Sequence, residues 1–283
     1  MRELAVVSGG VRLAVRDSGG DRPALVLLHG AGDNLATWEG LGRLLTDEFR
    51  LVSHDARGHG LSETPAAAEA DALLADLEAV LGLLELRRPV LVGHSFGGST
   101  ALRFAAAGRD VRGVCAIDAG PWRGAELPPF DADLIRARRY GWSGDDSALA
   151  EELAAFVAKA ARESPGEPRE LVEASFRRSH ERGADGLWRR KPLLEHMTML
   201  APLLREPGSQ LTVELFDRID CPTLLVCATE GSSAVAEPLI AQISARRPNV
   251  ASAWIAGGHF VHWERPEEVA GHLRAFAQGL FSG

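Results

Sequence analysis

The sequence predicts an α/β fold, with a mostly parallel sheet flanked by helices. Short apolar runs, such as Ala-Leu-Val-Leu-Leu at 24–28, are bounded by turn residues, as is typical of strands buried on both faces of a parallel sheet. Longer segments with helical character alternate with these runs, and this alternation indicates right-handed strand–helix–strand crossovers. A segment without strand-like runs, at 122–211, interrupts the alternation once.

The elements are predicted in order along the chain. Residues 4–7 and 11–15 flank Ser8-Gly9-Gly10 and predict a β-hairpin, because glycine supplies the backbone conformation that a tight turn needs. Further strands are predicted at 24–28, 50–53, 89–92, 111–117, 222–228 and 250–255. Helices are predicted at 67–86, 96–107, 234–246 and 266–281.

The interrupting segment is rich in Arg, Glu and Ala and predicts several helices without strands. We therefore expect a core formed by residues 1–121 and 212–283, with residues 122–211 inserted as a helical lid. A lid over the carboxyl ends of the strands encloses a pocket where such sheets bind ligands. Trp122, Trp142 and Trp188 are candidates to line this pocket and bind substrate, or alternatively to pack within the lid.

Composition narrows the classes of partner. The formal net charge of the 283 residues is −8, and no basic face is evident, so we expect no nucleic-acid partner. The three cysteines lack the close spacing of a metal site or a disulfide framework. The apolar stretches are too short to span a bilayer, and the first residues do not resemble a signal peptide. A cytoplasmic protein without membrane contact, as a monomer or homodimer, is therefore expected.

Ser95 is the predicted nucleophile. It lies in Gly93-His94-Ser95-Phe96-Gly97, which matches the G-x-S-x-G nucleophile elbow, with a predicted strand before it and a predicted helix after it. Gly93 and Gly97 remove Cβ atoms where strand and helix pack closely. The helix N-terminus adds unpaired N–H groups and a positive dipole end beside a developing oxyanion.

The loop that follows residues 24–28 is the predicted oxyanion loop. It reads His29-Gly30-Ala31-Gly32, and its glycines allow the Ala31 backbone N–H to face a substrate carbonyl. The Phe96 N–H, next to the nucleophile, is the second predicted donor. Two such preorganised donors stabilise a tetrahedral oxyanion. The alternative is a simple loop between strand and helix.

His259 is the predicted general base. It follows the last predicted strand in Gly257-Gly258-His259-Phe260, on a loop that reaches the nucleophile in this topology. His29 fits a structural hydrogen bond better. His180 and His196 fall in the predicted lid, where substrate contact is an alternative to packing.

Four motifs together resemble the α/β-hydrolase superfamily. They are His29-Gly30, the run Asp55-Ala56-Arg57-Gly58-His59-Gly60-Leu61-Ser62, the elbow at 93–98, and Gly258-His259 with the residues that follow it to 268. They lie in the family's order and span nearly the whole chain except 122–211. The resemblance implies the α/β-hydrolase fold and a catalytic triad in the chain order Ser, acid, His. It leaves the substrate open, because this fold hosts many activities.

The acid of the implied triad departs from the family pattern. Members usually carry it after the strand at 222–228, in Gly-x-x-Asp, whereas this chain has Ala-Thr-Glu-Gly, with Gly231 at the expected position. Asp118, after the strand at 111–117, is the other place where this fold presents an acid, in some dehalogenase-like and lactonase-like relatives. We favour Asp118, with Glu230 as the alternative and Asp33 as a further one.

Together, these features predict a serine hydrolase. We expect it to cleave a carboxylic ester or lactone of a small, largely apolar substrate through an acyl-enzyme. The expected partner is this small-molecule substrate, and no metal or organic cofactor is expected. A thioesterase or a C–C bond hydrolase on the same triad is one alternative. A non-catalytic ligand-binding protein with the same fold is another.

Overall fold

Eight strands form the central sheet of the computed structural model, which describes residues 1–67, 71–121, 141–163, 168–192, 196–197 and 211–282. The described strands are β1 (Arg2–Ser8), β2 (Val11–Asp17), β3 (Ala24–Leu28), β4 (Arg50–His54), β5 (Val90–His94), β6 (Gly113–Ile117), β7 (Ser143–Gly144), β8 (His180–Arg182), β9 (Trp188–Arg190), β10 (Thr223–Ala228) and β11 (Val250–Ile255).

The central sheet has the strand order β1-β2-β4-β3-β5-β6-β10-β11. The pairs β1–β2 and β2–β4 are antiparallel, and the other neighbouring pairs are parallel. The predicted class, an α/β fold with a mostly parallel sheet, is confirmed. Because parallel strands end at the same edge, the loops after β3, β5, β6, β10 and β11 meet there.

The described helices are α1 (Glu39–Leu45), α2 (Ala72–Leu83), α3 (Phe96–Ala106), α4 (Asp146–Glu163), α5 (Arg169–Arg178), α6 (Val213–Phe216), α7 (Glu237–Arg246), α8 (Val261–Glu264) and α9 (Pro266–Phe281). Short 3-10 turns cover Leu35–Trp38 and Ser232–Ala236. α2 is shorter than predicted at its C-terminal end, where Glu85 adopts a positive φ of 51°. Among the described residues, no helix has the length and apolar character needed to cross a membrane.

Apolar side chains are buried on both faces of the sheet. Along β3, Val26 and Leu28 belong to one buried cluster, whereas Leu25 and Leu27 belong to another. Residues of α2, α3 and α7 complete the first cluster, and residues of α1 and α9 complete the second. Side chains alternate between faces along a strand, so two buried faces require the continuous apolar runs seen in the sequence.

The prediction of a strand-free insertion is wrong for its described part. β7, β9 and β8 form a separate antiparallel sheet in that order. The turn between β8 and β9 places Gly186 at a positive φ of 81°, and the Arg182 guanidinium lies 5.8 Å from the Trp188 ring centroid. These strands have only two or three residues each, too few for a period-two pattern to emerge. The boundaries at 121 and 212 stay a prediction.

Helix α5 attaches the insertion to the core. The Asn34 side-chain amide donates to the Ser175 carbonyl at 2.9 Å and lies 2.8 Å from Ser179 Oγ. Arg178 Nε donates to the Asp55 carboxylate at 2.8 Å, and both side chains are buried. The insertion is therefore held at the loops that follow β3 and β4, beside the carboxyl edge of the sheet.

Candidate active site

Ser95 lies on the sharp turn between β5 and α3. Its backbone has φ 50° and ψ −114°, a conformation that a non-glycine residue adopts only at a cost of roughly 1–3 kcal/mol. A Cβ atom on Gly97 would lie 2.1 Å from the Leu28 carbonyl oxygen, and one on Gly93 would lie 2.3 Å from the Gly97 carbonyl oxygen. Both glycines of the motif are therefore required by close backbone packing around the turn.

His259 joins Ser95 to Asp118. Its Nε2 lies 3.0 Å from Ser95 Oγ, and its Nδ1 lies 2.6 Å from Asp118 Oδ2. The hydroxyl, the imidazole and the carboxylate thus form one hydrogen-bonded series, although the three residues follow different strands. In this arrangement an imidazole can remove the hydroxyl proton while the carboxylate orients the ring.

Asp118 follows β6 with a positive φ of 44°, and its carboxylate is fully buried. Beyond His259, it accepts the backbone N–H groups of Ala228 at 3.2 Å, Ser232 at 2.7 Å and Ser233 at 2.9 Å. Burial acts to raise the pKa of this carboxyl, but the hydrogen bonds from His259 and Ser233 outweigh burial and hold the pKa below its usual value. Asp118 is therefore ionised beside the imidazole at neutral pH.

Gly231 provides the space that the Asp118 carboxylate occupies. A Cβ atom at Gly231 would lie 2.4 Å from Asp118 Oδ2 and 2.7 Å from the Ala228 Cβ. Glu230 is exposed, and both ring nitrogens of His259 already have partners. The structure thus brings Asp118 to His259 and leaves Glu230 at the surface, while Asp33 lies in the loop after β3.

Replacing Gly231 with alanine is expected to lower kcat about 100-fold, because the new Cβ displaces the Asp118 carboxylate from His259. Gly231 has an ordinary φ of −98°, so backbone strain does not contribute. Gly271→Ala on helix α9, where a Cβ meets nothing within 4 Å, is the matched control and should retain wild-type kcat. Equal kcat values for the two variants would contradict the close fit between Gly231 and Asp118.

The loop after β3 passes directly beside Ser95. A Cβ on Gly30 would lie 3.6 Å from the Ser95 Cβ, and the loop bends through a hydrogen bond from the Asp33 N–H to the Gly30 carbonyl at 3.2 Å. Phe96 is the first residue of α3, where helix N–H groups lack intrahelical partners. The backbone positions of Ala31 and Phe96 thus flank Ser95, and their oxyanion role stays a prediction.

Two buried histidines support that loop. His29 Nδ1 donates to the Gly30 carbonyl at 2.8 Å, while its Nε2 accepts the Ala56 N–H at 2.9 Å. His59 Nε2 accepts the Gly32 N–H at 3.1 Å. These contacts agree with the structural role expected of His29.

Sequence reasoning missed three groups that contact His259 or hold its loop. His94 Nε2 donates to the His259 carbonyl at 2.8 Å, and Ser232 Oγ lies 3.0 Å from His259 Nδ1. Glu264 accepts the Gly258 N–H at 2.7 Å, which holds the loop on which His259 lies. The only sequence signal for these three residues is their position in the chain, since each lies within a few residues of a predicted site residue or of Gly231.

The tryptophans predicted to bind substrate lie in the insertion. Trp188 Nε1 donates to Asp146 at 2.7 Å, and the Trp142 ring packs edge-on against His180, with 5.5 Å between centroids. These contacts are those expected if the two rings pack within the insertion. Trp122 lies outside the described residues. Substrate binding by the three tryptophans stays a prediction.

Several buried histidines are neutral in the folded protein. Burial lowers the pKa of His29 and His54 to about 4 and that of His262 to about 3, each from 6.5. Burial also holds the pKa values of His59 and His94 well below 6.5. In the opposite direction, burial raises the pKa values of two carboxyl groups near these histidines, those of Asp33 and Asp55.

We expect the Tm to fall as the pH is lowered from 6.5 towards 4. Between these pH values the histidines bind protons in the unfolded chain but not in the folded one. Each buried histidine therefore lowers the free energy of unfolding by up to about 1.4 kcal/mol for each unit by which the pH falls. The two raised carboxyl pKa values act in the opposite direction but involve fewer groups. Calorimetry in buffers of matched ionic strength measures the slope, and a constant Tm across this range would contradict burial of neutral histidines.

A family model described as the alpha/beta hydrolase family matches residues 25–272. Among curated relatives, the 2-(acetamidomethylene)succinate hydrolase of Mesorhizobium japonicum is 30% identical over 262 residues, which cover 92% of this chain and 89% of the relative.

Solved structures of similar proteins have the same fold. The crystal structure of E-2-(acetamidomethylene)succinate hydrolase superposes with a TM-score of 0.79 at 27% identity, covering 98% of this chain and all of that one. The enol-lactonase of Burkholderia xenovorans LB400 superposes with a TM-score of 0.70 at 20% identity, covering 97% of this chain and all of that one. At that identity the second likeness concerns the fold alone.

Proposed function

The chain belongs to the alpha/beta hydrolase family and is a hydrolase, and from this premise we propose that it cleaves a carboxylic ester or lactone of a small, largely apolar substrate through an acyl-enzyme. The observation that carries the proposal is the hydrogen-bonded series from Asp118 through His259 to Ser95, at 2.6 and 3.0 Å. The alternative of a non-catalytic receptor is set aside, because the chain is a hydrolase.

In the proposed reaction, Ser95 Oγ attacks the substrate carbonyl carbon while His259 Nε2 takes the hydroxyl proton. The backbone N–H groups of Ala31 and Phe96 donate to the oxyanion of the tetrahedral intermediate. His259 then returns the proton to the leaving alkoxide, and the carbonyl carbon stays bound to Ser95 as an ester. Water, activated by the same imidazole, releases the acid and restores the serine. Asp118 stabilises the imidazolium form of His259 in both halves.

A burst experiment tests this proposal. The chain is mixed rapidly with p-nitrophenyl acetate or butyrate, and p-nitrophenol release is recorded in the first turnover. We expect a burst approaching one equivalent per chain when deacylation is slower than acylation. A parallel panel of lactones, acyl-thioesters and vinylogous diketones assigns the bond cleaved. Faster turnover of thioesters or diketones than of every ester and lactone would replace the ester proposal with those alternatives.

A second candidate is hydrolysis of an amide in a substrate that bears carboxylates. The name of the Mesorhizobium relative's substrate, 2-(acetamidomethylene)succinate, combines an acetamide and a succinate, and that relative matches over 92% of this chain. Arg190, in β9 of the insertion, lies close enough to Asp33 to lower the pKa of that carboxyl, against the larger effect of burial. A cation from the insertion thus lies near the loop beside Ser95, a position that suits a substrate carboxylate.

A pair of neighbouring variants tests the second candidate. With 2-(acetamidomethylene)succinate as substrate, Arg190→Gln is expected to raise KM at least tenfold, because it removes a cation near the site. Arg189→Gln is the matched control, since adjacent strand residues point to opposite faces and Arg189 pairs with Asp185. Absence of turnover of this substrate, or equal KM values for the two variants, would exclude the second candidate.

A further inference from the structure

Three potential metal ligands lie close together next to Ser95 and His259. Asp33 lies in the loop after β3, His94 ends β5, and His262 lies in α8. One ligand atom from each residue lies within 4.8 Å of those from the other two. The rings of His94 and His262 are buried, with centroids 4.3 Å apart.

His94 contributes a lone pair to this cluster. Its Nε2 lies 2.8 Å from the His259 backbone carbonyl, which can only accept, so Nε2 carries a hydrogen. With its hydrogen on Nε2, the neutral imidazole leaves Nδ1 bare. That Nδ1 is buried and has no hydrogen-bond partner within the described part of the chain.

His262 contributes a second lone pair. Its Nε2 lies 3.0 Å from Thr37 Oγ1, which accepts the Trp263 indole N–H at 2.5 Å and hydrogen-bonds to the Asp33 carboxylate. The single hydroxyl hydrogen of Thr37 is then directed to Asp33, so His262 Nε2 must be the donor to Thr37. The remaining Nδ1 of His262 is bare, buried and unpartnered among the described residues.

One ligand atom of each of Asp33, His94 and His262 thus lies within 4.8 Å of the other two, and each histidine has a buried Nδ1 without a hydrogen-bond partner among the described residues. Buried acceptors in this state need a cation, a proton or a bound water. We propose that Asp33, His94 and His262 bind a divalent transition-metal ion, for which Zn²⁺ is the reference. Two histidines and one carboxylate form a donor set that suits Zn²⁺ and related ions, with a fourth position left for water.

The spacing of the three groups is compatible with a bound ion. Metal–ligand bonds of about 2.0–2.2 Å place tetrahedral ligand atoms roughly 3.4 Å apart, and the three ligand atoms lie within 4.8 Å of one another. Asp33 is the least buried of the three and lies on a loop, so its carboxylate is the group expected to adjust to the ion. The ion would connect the loop after β3, the end of β5 and helix α8 without touching the reacting atoms.

Titration of the untagged, chelator-treated chain tests the proposal, with ZnCl2 followed by calorimetry and CoCl2 followed by visible absorption. We expect one ion per chain, a Co²⁺ spectrum typical of a low-coordinate N/O site, and a rise in Tm with zinc concentration. Asp33→Asn and His262→Gln should each weaken zinc affinity at least 100-fold. His272→Gln, on the exposed face of α9, is the matched control and should bind as wild type.

The neighbouring triad is tested separately with His259→Ala, which must still bind one ion if the site is the one proposed. Asp33→Asn preserves side-chain size, so unchanged affinity in that variant would overturn the proposal even if His262→Gln failed to fold. Loss of binding in His259→Ala with retention in Asp33→Asn would assign the ion to the triad instead. No saturable binding at micromolar zinc would overturn the proposal.

Discussion

Ser95→Ala is expected to lower kcat by about 10⁶-fold, because it removes the oxygen that forms the acyl-enzyme. The residual rate would come from the oxyanion donors and from binding alone, so KM should change little. Steady-state kinetics on the best ester of the panel measure the effect. The alanine side chain fits the turn without new contacts, so the Tm should stay near the wild-type value.

Ser282→Ala is the control for Ser95→Ala, because Ser282 lies at the end of α9, where its hydroxyl donates to the Gln278 carbonyl at 2.7 Å. It should retain wild-type kcat. A Ser95→Ala variant that kept a tenth of wild-type activity would show that another group performs the attack.

Asp118→Asn is expected to lower kcat by about 10⁴-fold while the chain still folds. A neutral amide neither stabilises the imidazolium of His259 nor reliably selects the tautomer with hydrogen on Nδ1. Some stability should also be lost, since an amide N–H₂ group would face the N–H donors of Ser232 or Ser233. Kinetics together with calorimetry separate the two effects.

Glu230→Gln is the matched control for Asp118→Asn, because it removes the competing carboxylate at an exposed position in the same region. It should leave kcat unchanged. Near-normal turnover in Asp118→Asn together with a collapse in Glu230→Gln would transfer the role of the acid to Glu230.

Local patterns were sufficient for the sheet and for the nucleophile turn. The run at 24–28 coincides with β3, because strands buried on both faces must be continuously apolar. The elbow at Ser95 is recognisable because its glycines are required by backbone packing within a short stretch of chain. These features depend on neighbours in sequence, so the sequence alone reveals them.

Other features depend on residues that are distant in sequence. Only the folded chain shows that Gly231 leaves room for the carboxylate of Asp118, more than a hundred positions earlier. The short strands β7, β8 and β9 were missed because they are polar and have two or three residues each. The convergence of Asp33, His94 and His262 likewise arises from a loop, a strand end and a short helix that are distant in sequence.

Covalent labelling tests most directly whether Ser95, activated by His259 and Asp118, is the nucleophile. The chain is treated with a fluorophosphonate, digested, and mapped by mass spectrometry. We expect one phosphonyl adduct per chain, on Ser95, with labelling slowed strongly in Asp118→Asn and absent in Ser95→Ala. An adduct on a different residue, or no adduct on a chain that still hydrolyses its ester substrate, would contradict the assignment of Ser95.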